Sequence, residues 1–404
     1  MPALPDVRTQ QRRRPKDRKE QIARASAEAF SELGYHGVSM EDIARRVGVT
    51  ATSLYRHYAG KYDLFRLAVL ALGQQLVDCT AFVDESDDET PEQAWDRLVT
   101  ALIATTLKYR DSGGLYRWEG RYLEDRDQAV LNAQVKLVNR RLQRPLTELR
   151  PNLTSRQRWT LSSTVLSAIG SVTDHRAQLP TDRVHAILTR IARDVRDTDL
   201  PDWSAEKRPL PGRVMPAAAA GEYETILHAA MVLFNERGYR ETGMEDIAAA
   251  AGMPTSSLYR FFPGKSAILT ASYRRAADRV SGDVPAALAN ADGPVDAVGQ
   301  LIDAFVRRSF AEPEVAYVYY AERGNVPAEE LAVLTNIQRA TVAAWAGLLG
   351  GPAIVIILKL AGVGVARTVA VFALVAFVGG FVTLVARMQD RPPTDSGPDD
   401  GAVV

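Results

Sequence analysis

Hydroxyl, aromatic and cationic residues occur together in a thirteen-residue stretch that this 404-residue chain contains twice. The first copy runs over 49–61 and the second over 253–265, displaced by 204 positions without a gap. Each copy has small hydroxyl residues, then Leu-Tyr-Arg, two ring side chains and a Gly-Lys pair. Cations bind phosphates, while hydroxyl and guanidinium groups hydrogen-bond base edges. A short helix with a small, polar first turn can approach DNA closely, so the sequence predicts two DNA-contacting helices.

The residues around the first copy predict the helices that position it. A stripe of apolar residues at helical spacing indicates a first helix that ends at Gly34. Ser39 is a plausible N-cap for a helix over 40–47, whose acidic first turn suits the positive end of the helix dipole. Gly48 supplies the next turn, and a fourth helix is predicted over 62–79. Two helices joined by a glycine turn form a helix-turn-helix, whose second helix can enter the major groove.

The complete pattern is more specific than one short helix-turn-helix. In the first copy it reads Phe30-x-Glu32-x-Gly34-Tyr35, Met40-Glu41-Asp42-Ile43-Ala44, Gly48, Leu54-Tyr55-Arg56 and Lys61. In the second copy it reads Phe234, Glu236, Gly238-Tyr239, Met244-Glu245-Asp246-Ile247-Ala248, Gly252, Leu258-Tyr259-Arg260 and Lys265. About half of the positions from 30 to 61 are identical to their partners. This pattern resembles the TetR family of bacterial transcriptional regulators, and its repetition makes the resemblance strong.

The resemblance implies which residues face the DNA groove, with the lysine after each recognition helix meeting a phosphate. In the first copy the candidates are Ser39, Thr50, Ala51, Thr52, Ser53, Tyr55, Arg56, His57 and Lys61. In the second copy they are Thr255, Ser256, Ser257, Tyr259, Arg260, Phe261 and Lys265, preceded by Pro254. Packing between helices is an alternative use for Tyr55. A solvated surface charge is the alternative for Arg56 and Lys61.

The two copies differ in charge. Across 17–61 seven Lys or Arg oppose six Asp or Glu, whereas across 221–265 four oppose six, so the balances are +1 and −2. The first copy also follows a basic segment that contains Arg12, Arg13, Arg14 and Lys16. The second copy replaces His57 by Phe261. Because affinity rises with each phosphate that is neutralised, we expect the first copy to bind DNA more tightly. The second copy is then a weaker DNA-binding unit or mainly a pseudo-dimer partner.

Composition excludes several other classes of protein. The whole chain has no formal net charge, so DNA binding must come from local charge. Cys79 is the single cysteine and the five histidines lack metal-ligand spacing, which predicts no disulfide, no metal and no cofactor. Nucleotide-binding and hydrolase motifs are missing from the sequence, so we expect no enzyme activity. A reducing, cytoplasmic and nucleoid-associated location is predicted.

The predicted fold is all-α, with two tandem modules. Each module is expected to be a three-helix DNA-binding bundle with a helix-turn-helix, followed by an α-helical regulatory domain. The first module comprises a basic arm over 1–15, DNA-binding domain 16–80 and regulatory domain 81–200. A Pro-rich linker is predicted over 201–220. The second module comprises DNA-binding domain 221–281, regulatory domain 282–349, apolar helices over 350–389 and a disordered tail over 390–404.

Amphipathic patterns predict the helices of the regulatory domains. In the first module they cover 91–109, 114–145, 154–178 and 181–196, with a break near Gly120 and an end at Pro145. In the second module they cover 293–311, 313–323 and 327–349. The family resemblance implies that such a domain dimerises and holds a small-molecule effector. Aromatic candidates for the pocket are Trp95, Tyr109, Tyr116, Trp118, Tyr122 and Trp159, with Tyr317, Tyr319, Tyr320 and Trp345 in the second module. Ordinary core packing is the alternative for each ring.

The sequence leaves the assembly and the location of the C-terminal part open. Family members place two recognition helices in successive major grooves of double-stranded DNA, about 34 Å apart. A chain with two copies could do so as an intramolecular pseudo-dimer, or two chains could pair as a homodimer. The nineteen uncharged residues 368–386 approach the length of a membrane span, but buried dimer helices explain them as well. The leading hypothesis is a repressor released by an effector, and the alternative is a membrane-tethered regulator or sensor.

Overall fold

The computed structural model describes residues 15–85, 89–173, 179–200 and 221–348, and every regular element in these ranges is helical. The first module contains α1 Pro15–Gly37, α2 Met40–Val47, α3 Ala51–Tyr55, α4 Lys61–Cys79, α5 Pro91–Lys108, α6 Leu115–Trp118, α7 Asp125–Leu149, α8 Ser155–Gly170 and α9 Thr181–Asp197. The second contains α10 Glu222–Arg237, α11 Met244–Ala250, α12 Thr255–Phe261, α13 Lys265–Asn290, α14 Pro294–Ala311, α15 Pro313–Ala321 and α16 Ala328–Leu348. The predicted all-α fold is confirmed.

Local signals set the turns of the first helix-turn-helix domain, α1–α4. Gly34 adopts φ 70° inside α1, so the helical path breaks there. Ser39 caps α2, and a capping box joins Ser39 to Asp42. Gly48 ends α2 in the left-handed conformation, at φ 72°, which glycine adopts without the steric cost of a Cβ. These turns set the angle at which α3 leaves α2.

Each helix-turn-helix domain has its own apolar core. In the first domain Phe30, Ile43, Leu54 and Phe65 come from four different helices and are at most 1% exposed. The rings of Phe30 and Phe65 meet edge to face, with centroids 5.2 Å apart. The second domain, α10–α13, buries the equivalent residues, which are Phe234, Ile247, Leu258 and Leu269. One packing scheme therefore supports both recognition helices, α3 and α12.

The first regulatory domain has a separate core between α5, α7, α8 and α9. Trp95, Leu142, Val165 and Leu188 are buried in it, one from each helix. The predicted helix end at Pro145 is wrong, because α7 continues to Leu149. Leu142 and Leu146 are buried on either side of the proline and hold the chain helical for one further turn. Because proline lacks a backbone N–H, its presence this near the helix end removes only one backbone hydrogen bond.

In the second module one continuous helix belongs both to the helix-turn-helix domain and to the part that follows it. Helix α13 runs from Lys265 to Asn290 without a break, so no loop marks the boundary predicted at residue 281. The hydroxyl of Tyr273 in this helix donates to the carbonyl of Val318 at 2.6 Å, which fixes α13 against α15. Ala287, Leu301 and Trp345 form a small separate core between α13, α14 and α16.

The duplication extends beyond the helix-turn-helix domains. Helices α5 and α14 begin at Pro91 and Pro294, 203 positions apart, and α7 and α16 begin at residues 125 and 328 with the same offset. Short 3-10 turns at Gly120–Tyr122 and Arg323–Asn325 precede α7 and α16. The offset changes from 204 to 203 between Lys265 and Pro294, which corresponds to one residue fewer in the second module.

Several predicted segments lie outside the described residues. They are the basic arm before Pro15, the linker 201–220, the apolar helices 350–389 with the candidate span 368–386, and the tail 390–404. Among the helices that the structure describes, none has the length and apolar character needed to cross a membrane.

Candidate nucleic-acid interface

The first recognition helix, α3, exposes Thr52 and Tyr55 and leaves Ala51 and Ser53 half-buried. Leu54 is its buried residue, whereas Tyr55 is 53% exposed and Arg56 and His57 follow it on the surface. Thr50 is the N-cap, and its hydroxyl accepts the N–H of Ser53 at 3.2 Å. The large exposure of Tyr55 argues against a mainly packing role. The helix thus offers hydroxyl, phenol, guanidinium and imidazole groups to a ligand.

The second recognition helix, α12, has the same orientation but a more aromatic surface. Leu258 is fully buried, while Tyr259 is 56% exposed and Phe261 is also exposed. Pro254 takes the N-cap position and provides no side-chain cap. The ring of Phe261 meets Tyr223 of α10 at a centroid distance of 6.2 Å. This surface has fewer hydrogen-bonding groups than that of α3.

A charge reversal beside the recognition helices separates the two domains. Arg260 Nη2 donates to the carboxylate of Glu222 in α10 at 3.2 Å, so the second domain satisfies its own recognition arginine. The equivalent of Glu222, 204 positions earlier, is Arg18. Within the described ranges of the chain, no carboxylate pairs with Arg56. The exchange of Arg18 for Glu222 is the largest single contribution to the predicted inequality in charge, and Glu222 pairs with the arginine of its recognition helix.

The two lysines that were predicted to meet phosphates also have contacts inside the protein. Lys265 Nζ donates to the carbonyl oxygens of Tyr239, Arg240 and Thr242 at 2.8, 3.1 and 3.0 Å, and so ties down the loop before α11. Lys61 Nζ lies 4.6 Å from the ring centroid of Tyr35. Burial lowers the pKa of both lysines. A phosphate contact by either lysine stays a prediction, since both have a stabilising role in the free protein.

Ser39 also has a partner in its own domain. Its hydroxyl donates to Asp42 Oδ2 at 2.6 Å, and its oxygen accepts the N–H of Asp42 at 3.2 Å. The hydrogen bond from Ser39 lowers the pKa of Asp42. The N-cap prediction is confirmed, whereas DNA binding by Ser39 remains a prediction. Gly243 occupies the equivalent position, and its N–H donates to Asp246 at 2.7 Å.

A hydrogen-bond cluster joins the first helix-turn-helix domain to the regulatory domain. The hydroxyl of Tyr62 in α4 donates to Asp127 Oδ2 at 2.7 Å and accepts the N–H of Glu124 at 2.8 Å. Burial, opposed by the hydrogen bond from Glu124 and reinforced by Asp127, raises the pKa of Tyr62 to about 12. Arg66 lies 3.6 Å from the same aspartate. These contacts join the start of α7 directly to α4, the helix that follows α3.

Four of the aromatic effector candidates are divided between two cores. Trp95 is buried in the core of the regulatory domain, whereas Tyr109, Tyr116 and Tyr122 pack against the core of the helix-turn-helix domain. Trp118 is buried and Trp159 is half-buried. The Nε1 atom of Trp95 is buried and has no hydrogen-bond partner among the described residues. Trp95 is the candidate that keeps an unused polar group inside the regulatory domain.

Two buried glutamates at equivalent positions were not predicted. Glu119 Oε2 accepts the N–H of Tyr35 at 2.8 Å, and Glu322 Oε1 accepts the N–H of Tyr239 at 3.1 Å. Glu119 is 5% exposed, and burial raises its pKa to about 7. The pKa of Glu322 is also raised by burial. The repeated pattern Tyr-x-x-Glu, at 116–119 and 319–322, was the signal in the sequence that could have identified them.

Comparison with known proteins identifies both helix-turn-helix domains. The family model TetR_N, described as bacterial regulatory proteins of the tetR family, matches residues 22–68 and 226–271. These two segments lie within α1–α4 and α10–α13. The family that the sequence pattern suggested is therefore confirmed for both copies.

Named relatives share the helix-turn-helix region. The transcriptional activator FasR of Mycolicibacterium smegmatis is 44% identical over 59 residues, which are 14% of this chain and 26% of FasR. The negative regulator IcaR of the biofilm operon in Staphylococcus epidermidis is 37% identical over 51 residues, 13% of this chain and 28% of IcaR. The chain thus spans about a quarter of the length of these curated relatives. A TetR-family regulator from Bordetella parapertussis aligns with 45% of this chain and 96% of its own, at a TM-score of 0.40 and 19% identity.

Proposed function

We propose that this chain, which belongs to the tetR family of bacterial regulatory proteins, is a sequence-specific DNA-binding transcriptional regulator with two unequal recognition helices. The observation that carries the proposal is the exposed polar surface of α3, with Arg56 unpaired among the described residues. Arg56 binds a phosphate or a base edge, and Thr52, Ser53 and Tyr55 add hydrogen bonds at the groove. Helix α12 makes weaker contacts, because Arg260 must first leave Glu222.

Both recognition helices act within one chain in this proposal. The intramolecular pseudo-dimer is supported by direct contacts between the modules, such as the hydrogen bond from Arg121 to Asn235. Since the two helices differ in sequence, the preferred DNA site is an imperfect palindrome. The half of the site bound by α3 contributes most of the affinity.

We infer that a small molecule regulates this binding through the first regulatory domain. Support comes from the unused indole N–H of Trp95 in the core of that domain, which favours a ligand with a hydrogen-bond acceptor. The cluster of Tyr62, Glu124 and Asp127 links α7 to α4 and gives a route from a ligand to α3. Binding of the effector releases the DNA, and the regulator is a repressor. In a promoter–reporter assay, deletion of the protein raises expression, whereas lower expression after deletion would identify an activator instead.

Footprinting of the full chain on its own promoter DNA tests the proposed function. We expect protection of two unequal half-sites in successive major grooves, with affinity that falls steeply as salt rises. Arg56→Ala serves as the matched control, and it should remove protection at the stronger half-site. Absence of any protected sequence at low salt would refute sequence-specific DNA binding.

A further inference from the structure

The two modules meet at the ends of their first helices. His36 Nδ1 lies 3.7 Å from Glu241 Oε1, and Arg121 donates to the side-chain oxygen of Asn235. A methyl group added at Gly238 would lie 2.6 Å from the His36 ring. The two modules therefore approach closely between the helix-turn-helix domains, and a side chain larger than glycine at position 238 would clash with the His36 ring.

The buried glutamates lie at the same contact and are related by the duplication. A Cβ built on Gly34 would lie 3.8 Å from Glu119 Oε2 and 3.7 Å from the carbonyl of Ala321, the neighbour of Glu322. A Cβ on Gly324 would lie 3.4 Å from the carbonyl of Glu32. Each glutamate thus accepts a hydrogen bond from its own helix-turn-helix domain and faces the other module. We call this contact, made by 34–37 and 119–122 with 235–241 and 321–324, the seam.

We propose that Glu119 and Glu322 are positioning residues which fix the separation of the two recognition helices, and that the seam they form holds a proton. Each carboxyl group accepts a hydrogen bond from the backbone N–H that follows the glycine near the end of the first helix of its own module. These N–H groups belong to Tyr35 and Tyr239. Two such groups meet where the modules pack, so the same side chains connect each DNA-binding domain to the contact between the domains. Arg121 lies within electrostatic reach of both and supplies one positive charge.

One positive charge from Arg121 cannot compensate two buried carboxylates fully, because burial penalises each negative charge. Other charged and titratable groups also face the seam. Around Glu119 they are Glu322, Arg121 and Tyr122, and around Glu322 they are Arg121, Arg240, Tyr239, Tyr273 and Lys265. His36, Lys61 and Glu241 lie on the flank of the seam. Among these groups, burial raises the pKa of Glu119 to about 7, and His36 is the one imidazole.

The two groups act in opposite directions. The pKa of Glu119 is raised by burial to about 7, so closure favours its protonated form and is weakened as pH rises through that value. The pKa of His36 is lowered, chiefly by burial and by Lys61, so closure favours neutral His36 and is weakened only as pH falls below its ordinary value. From about pH 6.5 to about pH 8.5 the glutamate dominates, and the ratio of closed to open seam should fall up to about fourfold.

Distance measurement by spin labelling tests the seam without DNA, so its outcome is independent of the proposed function. The full chain with Cys79→Ala is labelled at Glu41→Cys in α2 and at Glu245→Cys in α11, two exposed and equivalent positions. We expect one narrow distance at about pH 6.5 and a growing, longer population at about pH 8.5. Glu119→Gln, which keeps a hydrogen-bond acceptor without a charge, should abolish this dependence. Glu329→Gln, an exposed carboxylate in the same module as Glu322, is the matched control and should retain it.

Arg121→Ala provides a second variant that does not alter either glutamate. It should broaden the distance distribution at both pH values, since the one positive charge within electrostatic reach of both glutamates is lost. The proposal is overturned if the wild-type distances are the same at both pH values. It is equally overturned if the pH dependence persists unchanged in both Glu119→Gln and Glu322→Gln, or if Arg121→Ala leaves the wild-type distribution intact.

Discussion

The exchange of Arg18 for Glu222 at equivalent positions is the largest charge difference at a single position between the two DNA-binding domains. Position 18 is arginine, whereas its equivalent, position 222, is glutamate. Glu222 pairs with Arg260 at the protein surface, where an ion pair contributes at most about 1 kcal/mol. The effect on DNA binding is larger than this pairing energy alone, because a carboxylate near the groove also repels phosphate.

Glu222→Gln should therefore strengthen DNA binding by α12. In an Arg56→Ala background, where the second domain carries most of the remaining affinity, we expect an increase of about threefold to tenfold. Fluorescence anisotropy with a labelled duplex measures it. Glu245→Gln is the control, since it removes an exposed carboxylate of the same domain that is not paired with Arg260. Equal gains from both changes would mean that general charge, rather than the pair, weakens α12.

The cap of α2 gives a second test at the level of one side chain. Ser39→Ala should lower the free energy of unfolding of the first helix-turn-helix domain by about 1 kcal/mol, because the N-cap oxygen is lost. Ser39→Gly should cost only a few tenths of that value, because glycine already occupies this cap at Gly243. Urea unfolding followed by circular dichroism distinguishes the two. Equal losses from alanine and glycine would contradict the cap as the source of stability.

Helices α4 and α7 form the junction through which a regulatory domain can act on a recognition helix. The Tyr62 hydroxyl makes two hydrogen bonds there, and its partners Glu124 and Asp127 stand at the start of α7. Tyr62→Phe removes the hydroxyl while leaving the ring in place. Because Asp127 keeps Arg66 nearby, the remaining carboxylate is still partly compensated.

We expect Tyr62→Phe to lower the free energy of unfolding by about 1–2 kcal/mol and to increase hydrogen exchange at the start of α7. Tyr55→Phe is the matched control, because Tyr55 is exposed and far less tied to the core. It should leave exchange in α7 unchanged. Protection of α7 that is the same in the wild type and in Tyr62→Phe would contradict a coupling role for this hydroxyl.

At the element scale, periodicity and capping residues predicted most helix limits in the described ranges. The turns at Gly34, Ser39 and Gly48 could be predicted from the sequence, because backbone conformation at these positions depends on the residue itself. The helix end predicted at Pro145 was wrong, because the effect of this proline depends on the burial of Leu142 and Leu146. Tertiary packing decides that burial. A local pattern gives no information about such burial.

The candidate site was predictable in part for the same reason. Exposure of Tyr55, Arg56 and Tyr259 follows from the spacing that buries Leu54 and Leu258, so the recognition surfaces could be found from sequence. The partners Glu119 and Glu322 lie more than eighty residues from the backbone groups that they bind. Only the fold brings them together. The contact of Lys61 with the Tyr35 ring and the hydrogen bond of Lys265 to the Tyr239 carbonyl could not be predicted from the sequence for the same reason.

At the scale of the whole molecule, duplication places two recognition helices in one polypeptide and allows them to diverge. Two identical domains would read a symmetric site, whereas we expect a polar α3 and an aromatic, ion-paired α12 to read the halves of a site differently. The seam gives these two helices a defined relative position within one chain. An unequal pair of recognition helices is thus the central feature of this protein.

Comparison of Arg56→Ala with Arg260→Ala tests that inequality most directly. Affinity for the footprinted promoter DNA is measured by gel shift for the full-length wild type and the two full-length variants at matched salt. We expect Arg56→Ala to weaken binding by about fivefold or more, as expected for loss of about 1–3 kcal/mol, and Arg260→Ala to weaken it by no more than about threefold. Equal losses from the two changes, or a greater loss from Arg260→Ala, would contradict it.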